Sequence, residues 1–292
     1  MCELARRILL DTPKLRDIIN SGRHTCRHNM NTLEVNTAES LGFRNGDRGT
    51  HTSRTIMLAE LKGVIEALPA NAARADYGRA IIESNILGKP TSSTRILTNK
   101  RLGELYALDP TVPLFRLIRH FWTIDEPGRP LLAILCALAR DPLLRSTASP
   151  VLDTQAETDL SRQLLKDVLR EAVGNRLNED ILDKVARNAA SSWTQSGHLR
   201  GRARKIRQVV TATPVATAYA LILGYLQGLR GHRPLQTLWT KVLDASPDRI
   251  LGLAGEAKRL GLLDLKRAGD VIDLSFPSLL TEEDRRLAHG PN

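Results

Sequence analysis

Apolar residues recur at helical spacing along most of the chain after residue 52, and Pro or Gly separates the resulting segments. Apolar residues three and four positions apart line one face of an α-helix, and Pro beside such a run marks a helix boundary. In the first segment Ser53 is placed to cap a helix that Pro69 ends, with the apolar residues Ile56, Leu58, Leu61, Val64, Ile65 and Leu68. The spacing therefore predicts a chain built mainly of helices.

The composition favours the same fold class. Hydrophobic residues make up 42% of the chain but aromatic residues only 4%, so a core has to be built from Leu, Ile, Val and Ala. Leu and Ala are strong helix formers. The segment from Pro130 to Ala139 is apolar nearly all round, which predicts a buried central helix. We expect a mainly α protein of two packed helical bundles with a small C-terminal β-hairpin like that of a winged helix.

The chain divides into four parts. Residues 1–50 predict a weakly ordered extension, because Asn, Thr, Arg, His and Gly dominate from Asn20 to Thr50 and only Cys2–Ile19 could hold a short helix. Residues 51–150 predict an N-terminal helical domain, residues 151–280 a C-terminal helical domain that ends in the hairpin, and residues 281–292 a tail. In the extension His24, Cys26 and His28 alternate, a spacing that suits neither a zinc finger nor a helical pair of ligands. We therefore expect no bound metal.

The sequence contains no segment that predicts a membrane span or a secretory signal. The longest apolar run, Val215 to Leu226, is short for a span and includes Gly224. The three cysteines are odd in number and scattered, which is typical of a reducing compartment. We expect a soluble, cytoplasmic protein of unknown oligomeric state.

Near the C terminus the pattern changes from helical spacing to alternation. Ser246 and Pro247 begin a helix that Gly261 ends, and two alternating runs follow, 262–266 and 271–275. Two such runs around a short polar connection predict a β-hairpin, and a helix followed by a hairpin resembles a winged-helix unit. In a DNA-binding wing the nearby cations would meet phosphates; they are Lys258, Arg259, Lys266 and Arg267. Alternatively, the hairpin only closes a helical core. Its three acidic residues dilute the positive charge, so the sequence supports the two interpretations equally.

Positive charge is concentrated in one part of the sequence. The chain has 42 Lys and Arg residues against 32 Asp and Glu residues. Between Asp183 and Asp244 there is no acidic residue, and the cations there are Lys184, Arg187, Arg200, Arg202, Arg204, Lys205, Arg207, Arg230, Arg233 and Lys241. Half of them fall between Arg200 and Arg207, around Gly201. A local positive field of this kind is typical of proteins that bind polyanions, although a solvated surface that lacks Glu has the same composition.

The sequence shows no catalytic or cofactor-binding motif. It lacks the glycine-rich loops that hold phosphates, as well as HExxH, CxxC and GxSxG. We therefore expect a protein without catalytic activity or cofactor; a nuclease would need a metal site that the sequence does not indicate.

One segment resembles a known family. Residues 77–95 resemble the pattern E-N-x-L-x-K-x-T-x-S-T-R. The matching residues are Asn85, Lys89, Thr91, Ser93, Thr94 and Arg95, while Pro90 stands where a basic residue is expected. This segment is similar to one in BrxA-like proteins of bacterial phage-exclusion (BREX) loci. The resemblance implies a helical core similar to that of the antitermination factor NusB, and a non-enzymatic DNA-binding component of a phage-defence system.

These observations predict a protein that binds duplex DNA through its phosphates, together with other phage-defence proteins. The alternative is a scaffold that binds RNA or an acidic partner protein. The first candidate contacts are His198, Arg200, Arg202, Arg204, Lys205 and Arg207, and the second set is Arg95, Lys100 and Arg101, with the C-terminal cations as a third.

Overall fold

The computed structural model describes residues 32–269 and 271–289, with side chains from residue 37 onward. Helices dominate this part of the chain, which confirms the mainly α fold. In chain order they are α1 (Thr32–Leu41), α2 (Leu58–Ala67), α3 (Arg74–Ile82), α4 (Ser92–Tyr106), α5 (Pro113–Ile124), α6 (Arg129–Arg140), α7 (Pro142–Ser146), α8 (Ala148–Leu152), α9 (Arg162–Val173), α10 (Glu179–Gln195), α11 (Pro214–Leu226), α12 (Leu238–Lys241), α13 (Pro247–Arg259) and α14 (Glu282–His289). Short 3-10 turns occupy Thr50–Thr52, Gly174–Arg176 and Arg233–Gln236.

Two helices lie at the centre of the fold. Every residue of α6 from Leu131 to Ala139 is buried, and so is every residue of α11 from Val215 to Leu226. Helix α11 packs against α5, α6, α12, α13 and α14. Because both helices are apolar on nearly all sides, only a position surrounded by other helices removes that surface from water. The predicted central helix is thus confirmed.

One hydrophobic core serves the whole described region. It contains buried residues from Leu41 to Ala288 and so draws on both expected helical domains. Contacts group the described residues from 37 onward into one compact unit, and the expected boundary near residue 150 stays a prediction. Leu41 and Phe43, in the segment expected to be weakly ordered, belong to this core. The cluster of His24, Cys26 and His28 lies outside the described residues.

Side-chain caps start several of the helices. Asn178 and Ser246 accept hydrogen bonds from the first turns of α10 and α13, as predicted. The predicted cap at Ser53 is wrong. Helix α2 begins only at Leu58, because Met57 has a left-handed φ of 52° that interrupts the helical backbone.

Two antiparallel hairpins complete the fold. The predicted C-terminal hairpin is present: β3 (Asp264–Ala268) pairs with β4 (Val271–Ser275) and packs against α13. A second hairpin was not predicted. Its strands β1 (Leu199–Arg200) and β2 (Ile206–Arg207) enclose the arginine-rich loop.

A buried ion pair joins the unpredicted hairpin to the rest of the fold. The guanidinium of Arg207 forms two hydrogen bonds with the carboxylate of Asp244, and the two side chains are only 3% and 10% exposed. The same carboxylate accepts the backbone N–H of Val210. Asp244 precedes α13, so this pair connects the base of the hairpin to the helical core.

We expect Arg207→Ala to lower the free energy of unfolding by about 3 kcal/mol, because it leaves the buried carboxylate of Asp244 without its partner. Urea unfolding followed by circular dichroism measures this loss. Arg204→Ala, which removes an exposed arginine from the same hairpin, is the control and should cost less than about 1 kcal/mol. Equal losses in the two variants would contradict the role assigned to Arg207.

Candidate nucleic-acid interface

The loop of the arginine hairpin (residues 199–207) depends on a glycine. Gly201 has a φ of +97°, and a Cβ atom at this position would lie 2.2 Å from the carbonyl oxygen of Arg204. Any other residue would therefore meet the backbone of the loop. Leu199, at the start of β1, is buried and holds the hairpin in the core, while residues 201–204 are exposed. The sequence thus forms a short, defined turn that presents arginine side chains to solvent.

A neighbouring backbone segment, residues 157–160, supports the hairpin along β2. The N–H of Arg207 donates to the carbonyl oxygen of Thr158 over 2.9 Å, and that of Leu160 donates to the carbonyl oxygen of Lys205 over 2.8 Å. A third bond joins Glu157 N–H to Arg207 O at 2.9 Å. The hairpin is therefore the outer part of a three-stranded backbone arrangement with a fixed position.

This supporting segment also brings acidic residues to the hairpin. Glu157 accepts a hydrogen bond from Arg200 over 2.8 Å, and Asp159 accepts one from Arg204 over 2.7 Å. Hydrogen bonds from Arg200 and Gln208 lower the pKa of Glu157. The segment between Asp183 and Asp244 has no acidic residue in sequence, but in the fold carboxylates from outside this segment lie beside it.

Two cations of the hairpin remain without an acidic partner among the described residues. The guanidinium of Arg202 is exposed and contacts no other described polar group. The ammonium of Lys205 donates to the Thr194 hydroxyl and to the carbonyl oxygen of Gly201, and partial burial lowers its pKa. Against the acidic residues Glu157 and Asp159, the hairpin therefore presents an excess of positive charge.

Two residues of the first candidate set are not placed to contact a ligand. Arg207 is buried against Asp244, as described above. His198 is fully buried, with its ring nitrogens bonded to the Ser196 hydroxyl and to the carbonyl oxygen of Val242. Burial lowers the pKa of His198 to about 4, so its ring is neutral at pH 7 and cannot pair with phosphate. The structure corrects the sequence-based set at these two positions, and both side chains hold the hairpin base.

The second candidate set divides between two places. Arg95 donates to the carbonyl oxygens of Ile82 and Lys89 and so closes the connection between α3 and α4. Arg101 pairs with Glu104 at 2.7 Å. Lys100 is exposed, and its side chain forms no hydrogen bond or ion pair with any described residue. Only Lys100 is free to meet an external anion directly.

The motif that resembles BrxA-like proteins has a structural role in this connection. Asn85 has a left-handed φ of 49°, and its side-chain oxygen accepts the N–H of Lys89 over 2.7 Å. Thr91 caps α4 by accepting the N–H of Thr94, and the Lys89 ammonium pairs with Glu60 at 2.9 Å. These contacts give the motif residues a structural role in the connection between α3 and α4.

The third candidate set lies at the far end of α13 from the arginine hairpin. Arg207 meets Asp244 just before α13, whereas Lys258 and Arg259 end it, about 18 Å away along a helix of 13 residues. Lys258 pairs with Asp264 at 2.9 Å. Arg259 is exposed and has no acidic partner among the described residues. Lys266 is exposed, and its charge helps Lys258 to lower the pKa of Asp264. Arg267 donates to the carbonyl oxygen of Gly269. The first and third sets thus occupy opposite ends of one helix.

A buried histidine network was missed at the sequence level. The ring of His51 lies between Asp141, 2.7 Å from Nδ1, and Ser192, 2.8 Å from Nε2. This connectivity is that of a Ser-His-Asp catalytic triad. The three residues are separated by 90 and 141 positions in the sequence, and no local motif surrounds any of them.

The bonding of Ser192 differs from that of a catalytic serine. Its oxygen accepts the N–H of Ile56 over 3.0 Å, and its hydroxyl donates to the carbonyl oxygen of Asn188 over 2.9 Å. A hydroxyl has one proton, so the ring of His51 donates to Ser192 instead of accepting from it. His51 and Ser192 are completely buried, so a substrate cannot reach the oxygen. The network joins residues 50–56 to α10 and α7.

Comparison with known proteins identifies no family for this chain. No protein-family model matches it, and no curated protein matches it either. The resemblance to BrxA-like proteins therefore stays a prediction. Among the described residues no group of three or more His, Cys, Asp and Glu side chains is placed to hold a metal ion. Within the same part of the chain, no helix is long and apolar enough to cross a membrane.

The carboxylate of Asp141 should make stability depend on pH. Burial acts to raise its pKa, but the charge of His51 and the hydrogen bonds from His51 and Leu144 outweigh burial and lower the pKa below its ordinary value. A carboxylate with a lowered folded-state pKa stabilises the fold above its unfolded pKa, about 3.9, and this contribution disappears as the pH falls through the folded-state pKa.

We expect Asp141→Asn to lower the free energy of unfolding by about 2 to 3 kcal/mol at pH 7, because the amide cannot accept all the bonds that the carboxylate accepts. The difference from the wild type should shrink as the pH falls below about 4. Urea unfolding at a series of pH values measures both effects. A difference that stays constant down to pH 2 would contradict the ionised state of Asp141 in the fold.

Proposed function

We propose that the protein binds duplex DNA through its phosphates, without catalysis, at the arginine hairpin. The observation that supports this most directly is the exposed loop of residues 201–204, where Arg202 has no partner among the described residues. Arginine offers a planar fork of donors that fits phosphate oxygens. The contacts of the hairpin base with residues 157–160 and with Asp244 give these side chains a defined position.

The acidic residues near the hairpin reduce this field but do not cancel it. The side chains of Arg200 and Arg204 are 60% and 76% exposed in their pairs with Glu157 and Asp159. Ion pairs in such exposed positions contribute about 0 to 1 kcal/mol and are screened by salt. Phosphate groups can therefore compete for the same guanidinium groups. The four cations Arg200, Arg202, Arg204 and Lys205 outnumber the two carboxylates.

The cellular context of this binding is a further part of the proposal. The resemblance of residues 77–95 to BrxA-like proteins supports a role beside other phage-defence proteins. The alternative expected from the sequence, a scaffold for RNA or an acidic protein, would use the same cations. An RNA duplex of the same sequence therefore belongs in the binding experiment, and tighter binding of RNA than of DNA would favour the alternative.

We expect the full chain to bind a 20-bp DNA duplex with a slope of log K against log salt of about −3 to −4, since about four cations replace counterions. In the variant Arg200→Ala, Arg202→Ala, Arg204→Ala only Lys205 remains, and the slope should be near −1. Fluorescence anisotropy at several salt concentrations measures both values.

A control variant removes the same charge elsewhere: Lys62→Ala, Lys184→Ala, Arg286→Ala. All three residues are exposed and have no partner among the described residues, and Lys184 lies inside the acid-free window but outside the hairpin. This variant should bind with nearly the wild-type slope. Equal loss of binding in the two triple variants would show that net charge, and not the hairpin, attracts the duplex, and unchanged binding by the hairpin variant would refute the site.

The shape of the loop is tested separately from its charge. Gly201→Ala keeps every cation, but its Cβ atom would meet the carbonyl oxygen of Arg204, so the loop has to change conformation. We expect duplex affinity to fall about threefold to tenfold because the preorganised arrangement is lost. Gly252→Ala, on an exposed face of α13 where a Cβ atom would meet nothing within 4 Å, should bind as the wild type does. Wild-type affinity in Gly201→Ala would mean that loop geometry does not matter.

A further inference from the structure

A cleft on the N-terminal side of the fold gathers a second group of cations. Its volume is about 600 Å³, which lies within the range of pockets that hold small molecules. The walls come from the turn after α1, the middle of α4, the connection from α4 to α5 and the end of α6. The charged residues that line it are Glu39, Arg44, Arg74, Lys100, Glu104 and Arg140.

Close backbone packing brings the arginine at the end of α6 into this cleft. Gly42 has a φ of +106°, and a Cβ atom there would lie 2.6 Å from the side chain of Val112. Only a glycine lets the turn after α1 approach so closely. The guanidinium of Arg140 then donates to the carbonyl oxygens of Gly42, Gly103 and Glu104. Arg140 is thus held in place by carbonyl oxygens and by no carboxylate of the described residues.

The other cations of the cleft lie near this fixed guanidinium. Burial lowers the pKa of Arg140, and the positive charges of Arg44 and Arg74 lower it further. Arg44 contacts the carbonyl oxygen of Glu104, and Arg74 is 75% exposed with Asp109 3.6 Å away. Lys100 has no partner among the described residues. The positive charges of the cleft are therefore only partly neutralised by the protein itself.

The two acidic residues of the lining have different surroundings. The carboxylate of Glu104 is already bonded to Arg101 at 2.7 Å and to the hydroxyl of Thr50 at 2.8 Å. Glu39, at the end of α1, is exposed, and its side chain forms no hydrogen bond or ion pair with another described residue. Glu39 is thus the acidic residue whose charge would repel an anion in the cleft.

We propose that this cleft binds a small phosphate-bearing molecule. Guanidinium groups held in a concave site at different angles can bond several oxygens of one phosphate, and Lys100 adds a flexible ammonium. A single phosphate or diphosphate is small enough to fit within a cleft of about 600 Å³. This site shares no residue with the arginine hairpin, so it is independent of the duplex-binding proposal and assigns Lys100 to a different ligand.

Isothermal titration of the full chain with sodium pyrophosphate, at constant ionic strength, tests the site. We expect saturable binding with one molecule per chain. Lys100→Ala should weaken it about tenfold, the loss expected for a bond to a charged group. Lys62→Ala, which removes an exposed lysine outside the cleft, should leave it unchanged. Neither variant removes a bond within the described fold, so both should melt at the wild-type temperature.

A second variant is expected to tighten pyrophosphate binding, which is the opposite of the effect expected for Lys100→Ala. Glu39→Gln removes the repelling carboxylate and should tighten pyrophosphate binding about threefold, whereas a general loss of structure would weaken it. Absence of saturable binding at millimolar pyrophosphate would overturn the proposal, and so would equal affinities in the wild type, Lys100→Ala and Glu39→Gln.

Competition separates a small phosphate from the phosphates of nucleic acid. A 20-bp duplex should not displace pyrophosphate, and the triple hairpin variant should bind pyrophosphate as the wild type does. Displacement by the duplex would show that the cleft is part of a nucleic-acid surface and would overturn the small-molecule assignment. Loss of duplex binding in the hairpin variant with pyrophosphate binding intact would support both sites separately.

Discussion

The buried carboxylate of Asp141 joins parts of the chain that are far apart in the sequence. It caps α7 through Leu144 N–H and accepts two bonds from His51, whose ring reaches Ser192 on α10. A buried charge without such bonds would cost several kcal/mol, so these segments have to meet. Gly49 lies beside the carboxylate, where a Cβ atom would come within 2.0 Å of it. The network therefore fixes the chain just before α2 against the helical core.

The helices were predictable because their signals are local. A cap such as Asn178 lies next to the turn it stabilises, and the apolar segment of α6 shows its burial in its own residues. The start of α2 and the first hairpin were not predicted, because neither has a local signal in the sequence. Met57 takes a left-handed backbone that no periodicity indicates, so α2 begins later than the apolar spacing predicts. The strands β1 and β2 have two residues each, which is too short for an alternating pattern.

The candidate site was predictable only in part, because ion pairs form between distant residues. Arg200 and Arg204 find their carboxylates 43 and 45 positions earlier, and Arg207 finds Asp244 37 positions later. A count of charges along the sequence does not predict such pairs. The arginine loop that the sequence indicated is exposed, but the sequence could not distinguish Arg207, which stabilises the fold, from Arg202, which is exposed. The glycine next to Arg202 was the one local signal of a turn.

The cations of this fold differ in whether contacts within the protein hold them in place. A guanidinium that donates to backbone carbonyl oxygens, as Arg95 and Arg140 do, keeps its full positive charge while it holds two segments together. Such a residue contributes to the electrostatic field without being free to move. An exposed cation without a partner, such as Arg202 or Lys100, can adjust to a ligand. A fixed arginine beside a free cation thus combines a preorganised field with an adaptable contact, and the N-terminal cleft contains this combination in Arg140 and Lys100.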